Sequence, residues 1–359
     1  MKLFSQNEIH TGRQIEVDIA KFICLIGLVI VHSFEILVSY SETSSAMQYI
    51  IVYVLDFIFG AGTFMFCMGI GIAYSSHNSP AQLMKRGIRI FLLGYLLNVF
   101  CSLFYLFPLG DPMGFVYNVF GLDIMQFAGL ALLLFGFLQY IKLPDWGIAA
   151  VAVGLSVGGS FIYAWDTGSH ALNLSLGLFI GTFDYELMTG GIFPLFNWFI
   201  FVVAGYFFAK LLRRCEDKGK LYLYFSGVSA AILAAYMVIA IPNRLGMMGS
   251  VLHFHHMKTY EAVVCIAGAL FALGIYYALS HVLSPKVQAL IERVSRNINT
   301  IYCLQWVTIA WTFPWLIITG HNDLPDAVIL LMGVAVFLFC AVAARCYSSR
   351  KQKRGAKKA

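Results

Sequence analysis

The sequence predicts an all-α fold, a polytopic membrane helix bundle of about ten transmembrane helices with both termini in the cytosol. Three observations predict it. Of the 359 residues, 60% are hydrophobic and only 12% charged, and the mean hydropathy is +0.79. Soluble domains carry about 25% charged residues and ~45–50% apolar ones. The apolar residues gather into stretches of the ~20-residue length that a bilayer demands, and the cations are divided unequally between the connecting loops. This composition excludes a soluble globular enzyme, a disordered chain and a basic-faced nucleic-acid binder.

The apolar stretches run at about 17–40, 47–74, 87–107, 119–141, 146–165, 192–212, 221–241, 259–283, 299–318 and 325–345. The first follows a polar segment and has no small-residue cleavage pattern after it, so it reads as a span and not a cleaved signal. The second carries Gly60, Gly62, Gly69 and Gly71, which read as close helix packing. The third opens with Lys85-Arg86-Gly-Ile-Arg89, and the fourth contains Asp123 and Gln126. The long connection 166–191 is partly apolar and suits a re-entrant or interfacial helix. Within it, Asn173-Leu-Ser175 matches a glycosylation sequon. The ninth stretch holds Tyr302 and Gln305. Residues 1–345 therefore read as one transmembrane domain, and 346–359 as a basic cytosolic tail attracted to lipid. The cysteines lie mostly inside apolar stretches with no C-x-x-C pair, as small packing residues do.

Charge sets the direction. With the N-terminus in the cytosol and ten crossings, 22 of the 24 Lys and Arg fall on the cytosolic side; only Arg244 and Lys258 fall outside. An odd number of spans would scramble that split.

Ionisable side chains inside lipid are costly and mark function by default. The first helix carries Asp18, Lys21, His32 and Glu35. Lys21 and His32 are 11 residues apart, which on a helix is three turns plus about 20°, or ~16 Å along the axis. Asp18 and Glu35 lie within about 60° of the same stripe. Alone, His32 reads equally well as a core histidine bonded to a carbonyl. Asp56 in the second helix lies at matching depth, ~13 Å against ~12 Å. A carboxylate on one imidazole nitrogen leaves the other as a base; Asp56 serves equally well as a structural partner for a hydroxyl or a helix end. Arg86 and Arg89 form a cationic cluster with Lys21 at the cytosolic boundary. Each alone reads as a flanking charge for lipid phosphates, but Lys21 and Arg89 sit past the starts of their helices.

Asp123 with Gln126 suits the binding of a ligand's hydroxyls, and Gln305 with Tyr302 suits a cavity lining. Asn98, Asn118 and Asn197 have no assigned role. His253, His255 and His256 near Glu261 match no zinc spacing, so no metal is predicted.

These residues resemble a family. Residues 16–32, E-V-D-I-A-K-F-I-C-L-I-G-L-V-I-V-H, look like the first helix of acyltransferase family three membrane proteins, whose mark is Arg or Lys, ten residues, then His. Arg86-Gly-Ile-Arg89 looks like that family's R-x-x-R pair, and residues 297–305 are similar to its late-helix pattern. Residues 55–69, 122–127 and 193–205 look more like the related heparan-glucosaminide N-acetyltransferase group. Departures exist: Lys21 replaces the commoner Arg, Phe127 stands where the second group has Arg, and Gln305 where family three often has His.

The resemblance implies a ten- or eleven-span acyltransferase that takes acetyl from cytosolic acetyl-CoA to a hydroxyl or amine of a sugar or glycan acceptor at the outer side. Lys21, Arg86 and Arg89 would hold the CoA phosphates, where cations meet anions at the boundary. The pantetheine arm would run along the first helix. His32 would act as base with Asp56 orienting it, or form an acyl-histidine. Glu35, Asp123, Gln126 and Gln305 would face the acceptor. The implied partners are membrane lipid, acyl-CoA, the glycan and a second copy in a homo-oligomer. The compact chain, without a lumenal domain or signal peptide, reads as a protein of a bacterial cytoplasmic (inner) membrane. The rival class is a non-catalytic transporter or binder of a lipid-linked or small anionic glycan, or a relative that has lost activity.

The charge split makes one demand directly. A tag fused after Ala359 should be inaccessible to reagents outside intact cells; labelling from outside would overturn the even span count.

Overall fold

The computed structural model describes residues 4–38, 60–162, 165–185, 189–243, 245, 255–320 and 324–356. Asp56, the expected partner of His32, and His253 lie outside the described residues. Thirteen helices appear among them: α1 Ile15–Val38, α2 Ala61–Tyr74, α3 Pro80–Leu106, α4 Pro112–Phe120, α5 Ile124–Tyr140, α6 Asp145–Ser160, α7 His170–Ile180, α8 Leu195–Arg214, α9 Lys218–Asn243, α10 Thr259–Val282, α11 Pro285–Arg296, α12 Ile298–Ile318 and α13 Asp326–Ala356. A two-stranded antiparallel ribbon, β1 Phe183–Asp184 and β2 Thr189–Gly190, follows α7. The protein is an all-α integral membrane protein of the multi-pass type. Six of its helices, α1, α3, α8, α9, α10 and α13, are long and apolar enough to cross a bilayer.

Each apolar stretch contains helix among the described residues, the second being described only from Gly60 onward. Helix α3 begins at Pro80, earlier than hydropathy suggests, because Ser79 caps it and its N–H donates to Gln82 Oε1 at 3.3 Å. Lys85, Arg86 and Arg89 therefore sit in the second and third turns and do not open the helix. The stretch 119–141 is not one helix. It breaks at Gly121–Asp123, where Asn98 Nδ2 donates to the carbonyls of Val119 and Gly121 at 3.1 and 2.7 Å. Asp123 then starts α5 as its N-cap, so it lies at the helix mouth and not in its body. The connection 166–191 folds as α7 and the ribbon, and α13 continues through the basic tail to Ala356.

The residues divide into two compact units. The first comprises 1–13 and 62–274. Here α3 packs on α4 and α5, and α6 on α8. Its crossings are made by glycine. A Cβ on Gly69 would stand 2.0 Å from the Val202 carbonyl oxygen, and one on Gly205 2.0 Å from that of Phe66, so α2 and α8 touch backbone to backbone. Gly87 and Gly129 bring α3 and α5 close as well, a Cβ on Gly87 lying 2.7 Å from the Gly129 oxygen. Trp198, Phe199 and Phe201 of α8 are fully buried. At the end that carries the basic residues, Lys210 pairs with Asp145. Arg213 binds Glu8 at 2.5 Å and the Ala73 carbonyl at 2.8 Å. Ser5 and Ile9 N–H groups donate to Arg214 and Arg213 carbonyls, strapping the N-terminal segment onto the last turn of α8.

The second unit comprises 14–61 and 275–359. Helix α1 packs on α11, α12 and α13. Its core joins Leu25, Val29, Phe34 and Leu37 of α1 to Ile301, Ile309 and Phe313 of α12 and Phe337 and Cys340 of α13. Helix α11 has a polar face with Lys286, Arg293 and Arg296 and a buried face with Ile291 and Ser295.

The glycine crossing yields a sharp contrast. Gly205→Ala should cost about 1–3 kcal/mol, as overpacking does, and lower the melting temperature in detergent. Gly71→Ala, with nothing within 4 Å of its added Cβ, should leave that temperature unchanged.

Candidate functional site

In the second unit the polar stripe of α1 is largely enclosed. His32 is only 8% exposed. Its Nδ1 lies 3.3 Å from Gln305 Oε1 on α12. With the Gln305 amide oxygen facing the ring, Nδ1 is the donor of this bond. The ring stacks on Trp306 at 4.1 Å and 29°, and stands edge-on to Tyr302 at 6.4 Å. Trp306 Nε1–H in turn donates to the Tyr302 hydroxyl at 2.8 Å. Tyr302, Gln305 and Trp306 occupy one face of α12 because they are three and four residues apart. Gln305 is fully buried, and its Nε2 has no hydrogen-bond partner among the described residues. Lower on α1, Asp18 is buried and accepts from Ser295 Oγ at 2.7 Å. Lys21 and Glu35 are half-buried.

The first unit holds the other expected residues. Arg86 and Arg89 are exposed on α3, on either side of the turn that Gly87 presses against α5. Lys21 belongs to the other unit. Asp123 Oδ1 accepts from the Ile124 N–H at 2.6 Å, and the Asp123 N–H donates to Gln126 Oε1 at 3.3 Å. The pair closes a capping box, which accounts for its three-residue spacing. Gln126 is fully buried, with no partner for Nε2 among the described residues.

A polar cluster at the opposite end of this unit from Lys142 and Lys210 was not legible in the sequence. Asp184, 1% exposed, accepts from His170 Nδ1 at 2.5 Å and from Asn173 Nδ2 at 3.4 Å. Asn173 Nδ2 also donates to Asp166 Oδ1 at 2.7 Å, and Thr167 Oγ1 to Asn173 Oδ1 at 2.8 Å. Thr182 Oγ1 donates to the Asn173 carbonyl at 2.6 Å. Hydrogen bonds from the Asn173 amide and the Gly168 N–H hold the Asp166 carboxyl below the usual carboxylate range. The sequon asparagine is thus buried and its amide spent. His170 and Asp184 are 14 residues apart across a helix and a turn, and no periodicity announces such a contact.

His255 and His256 are packed against neighbouring elements. His256 is 1% exposed and fills the space over Gly181, whose φ of +74° ends α7. The His255 ring stands edge-on to Phe193 at 5.1 Å, and its carbonyl accepts from Trp198 Nε1 at 2.8 Å. Asn197 Nδ2 donates to the Met257 carbonyl at 2.8 Å. Among the described residues, no group of three His, Cys, Asp or Glu is placed to hold a metal ion.

With this geometry in view, comparison with known proteins is decisive at one point. The family model for the heparan-alpha-glucosaminide N-acetyltransferase catalytic domain matches residues 13–238, well over half the chain. The chain belongs to that family. No curated protein and no solved structure matches it. The match takes in Lys21, His32, Asp56, Arg86, Arg89, Asp123 and Gln126, and also His170 and Asp184. Gln305 and Trp306, which hold His32, lie beyond it.

Burial, with a smaller contribution from His256, pushes the His255 imidazole down from 6.5 to about 3. The unfolded chain takes up this proton near pH 6.5 and the folded chain does not. Stability is therefore full above about pH 6.5 and falls as acid is added. The melting temperature should drop between about pH 7 and pH 5, and His255→Phe should shallow that drop. An unchanged slope would show that His255 is not the group responsible.

Proposed function

We propose that the protein is a membrane acetyltransferase that moves an acetyl group from cytosolic acetyl-CoA to an amine or hydroxyl of a sugar at the outer side of the membrane. Membership in the acetyltransferase family supports the reaction class. At residue level one observation carries the reading, the enclosed His32 with its Nδ1 facing Gln305 and its ring stacked on Trp306. A histidine held in this way beside a planar ring is prepared to take a proton or an acyl group.

In this reading the CoA phosphates are held by Lys21, Arg86 and Arg89. Asp56 is a second support for the ring. As the acceptor attacks the thioester carbonyl, its proton passes to the His32 ring, the C–S bond breaks, and the proton returns to the departing thiolate. The donor groups of Gln126 and Gln305, both buried with Nε2 unspent, suit hydrogen bonding to acceptor oxygens, and Glu35 and Asp123 complete that set. Ten spans and cytosolic termini belong to the same proposal and rest on the charge split; a bacterial inner membrane is part of it as well.

Purified protein incubated with labelled acetyl-CoA and an amino sugar tests the reading. His32→Ala should lower the transfer rate about a hundredfold or more while acetyl-CoA still binds. Arg89→Ala should weaken acetyl-CoA binding about tenfold or more, the worth of one charge-assisted contact. A His32→Ala protein transferring at the wild-type rate would overturn the role of His32. Absence of transfer in the wild type, with intact glycan binding, would favour the transporter or binder.

A further inference from the structure

Helix α11 is placed unlike its neighbours. At 12 residues it is about 18 Å long, too short to cross a bilayer core of ~30 Å. It is nevertheless fixed at three points within the second unit. Gln288 Nε2 donates to the Ser280 and Leu283 carbonyls at 2.8 and 3.1 Å, which fastens its first turns to the end of α10. Ser295 Oγ donates to the buried Asp18 of α1 at 2.7 Å. Ser348 of α13 donates to Asn297, the residue after the last turn. The helix is also two-faced. Val287, Leu290, Ile291 and Val294 fall within an arc of about 100°. One side of that arc is closed against the protein, since Ile291 and the adjacent Ser295 are buried. The other side is open, with Val287 40% and Leu290 50% exposed. Lys286 and Arg293, both exposed, stand within about 60° of Leu290 on the open side. Glu292, the one carboxylate of the helix, pairs with Arg296. Arg345 and Arg350 of α13 are exposed within a turn of Ser348.

A free anion would use these cations and leave Val287 and Leu290 in water. An apolar protein face would cover those two and desolvate the cations. An anionic phospholipid meets both, with its phosphate at the cations and its acyl chain on the apolar edge. We infer that α11 is an in-plane helix that binds the headgroup of an anionic phospholipid through Lys286 and Arg293, with Val287 and Leu290 entering the acyl boundary. Because Ser295 holds Asp18, the lipid that fastens α11 also braces the start of α1, the helix that carries His32. The charge split puts this boundary on the cytosolic side, where anionic lipid attracts juxtamembrane cations. The inference goes beyond the acetyltransferase reading and does not rest on it.

The plain account of α11 is a solvated connector whose charges only set topology. The full chain in nanodiscs of phosphatidylcholine alone, and of phosphatidylcholine with phosphatidylglycerol in equal parts, separates the two. Amide hydrogen exchange along Pro285–Arg296 and in the first turns of α1 should slow when phosphatidylglycerol is present. Native mass spectrometry after release from the discs should find phosphatidylglycerol retained. Lys286→Gln and Arg293→Gln should each weaken that retention about fivefold, the worth of one cation at the surface. Both side chains are exposed, so these variants should melt as the parent does in phosphatidylcholine. Leu290→Gln should reduce the slowing with both cations still in place. Inorganic phosphate or acetyl-CoA added to the phosphatidylcholine discs should not slow exchange along α11. Slowing by either would make the helix a site for soluble anions and overturn the inference. Equal exchange in the two lipids, with retention unchanged in the double variant Lys286→Gln/Arg293→Gln, would overturn it too. A disc offers the lipid on both faces, so these readouts do not depend on the orientation of the chain, and a failure of acetyl transfer would leave them untouched.

Discussion

Hydrocarbon supplies no hydrogen bonds, so each polar side chain placed in a membrane helix must find its partner within the protein. His32 illustrates how much structure one such residue demands. Its ring nitrogen meets Gln305, its face meets Trp306, and Trp306 is itself satisfied by Tyr302. Asp18 imposes the same demand one level lower and meets it with Ser295 of α11. These pairings bind α1 to α11 and α12 at defined depths, and the apolar contacts of Phe34, Ile309 and Phe337 fill the space between. The chemistry proposed for His32 uses the same property. Facing Nδ1 to Gln305 for reasons of satisfaction also fixes the ring.

The first unit meets the bilayer differently. With lipid as apolar as leucine, helices gain from close backbone approach more than from large side chains. Gly69 against Val202, Gly205 against Phe66 and Gly87 against Gly129 provide that approach. The crossing of α3 with α5 has a further effect, since it leaves Arg86 and Arg89 on the outward side of α3 instead of between helices. Strong polar contacts in this unit then sit at its ends. Lys210 with Asp145 and Arg213 with Glu8 lie at one end, the Asp166–Asn173–Asp184–His170 network at the other. At the second end the network joins two carboxylates, an amide and an imidazole.

Much of this was legible in the sequence. Hydropathy located most of the described helices, because ~20 apolar residues in a row have few alternatives to a span, but it missed the start of α3 at Pro80 and the extension of α13 to Ala356. The first helix and its resemblance to membrane acyltransferases pointed to the family to which residues 13–238 belong. Spacing placed His32, Lys21 and Asp18 on one stripe, and Gln305 with Tyr302 drew notice as polar residues in the ninth apolar stretch. What misled was continuity. The apolar run through 119–141 hides a break that depends on Asn98, a residue on another helix. Asp123 and Gln126 drew notice as a polar pair in lipid, yet their spacing is that of a helix cap.

The amino-acid sequence by itself determined the solvent, the helices, the family and the identity of the costly polar residues, since these depend on composition and on periodicity along one helix. Tertiary structure alone decided who satisfies whom. Gln305 lies 273 residues from His32, and Asp184 is brought to His170 only by the turn after α7. Such partners are chosen by the packing of separate elements, and a hydrogen bond between them leaves no trace in the periodicity of either. The same packing set Asn173 inside and spent its amide, so that a surface sequon became a buried strut.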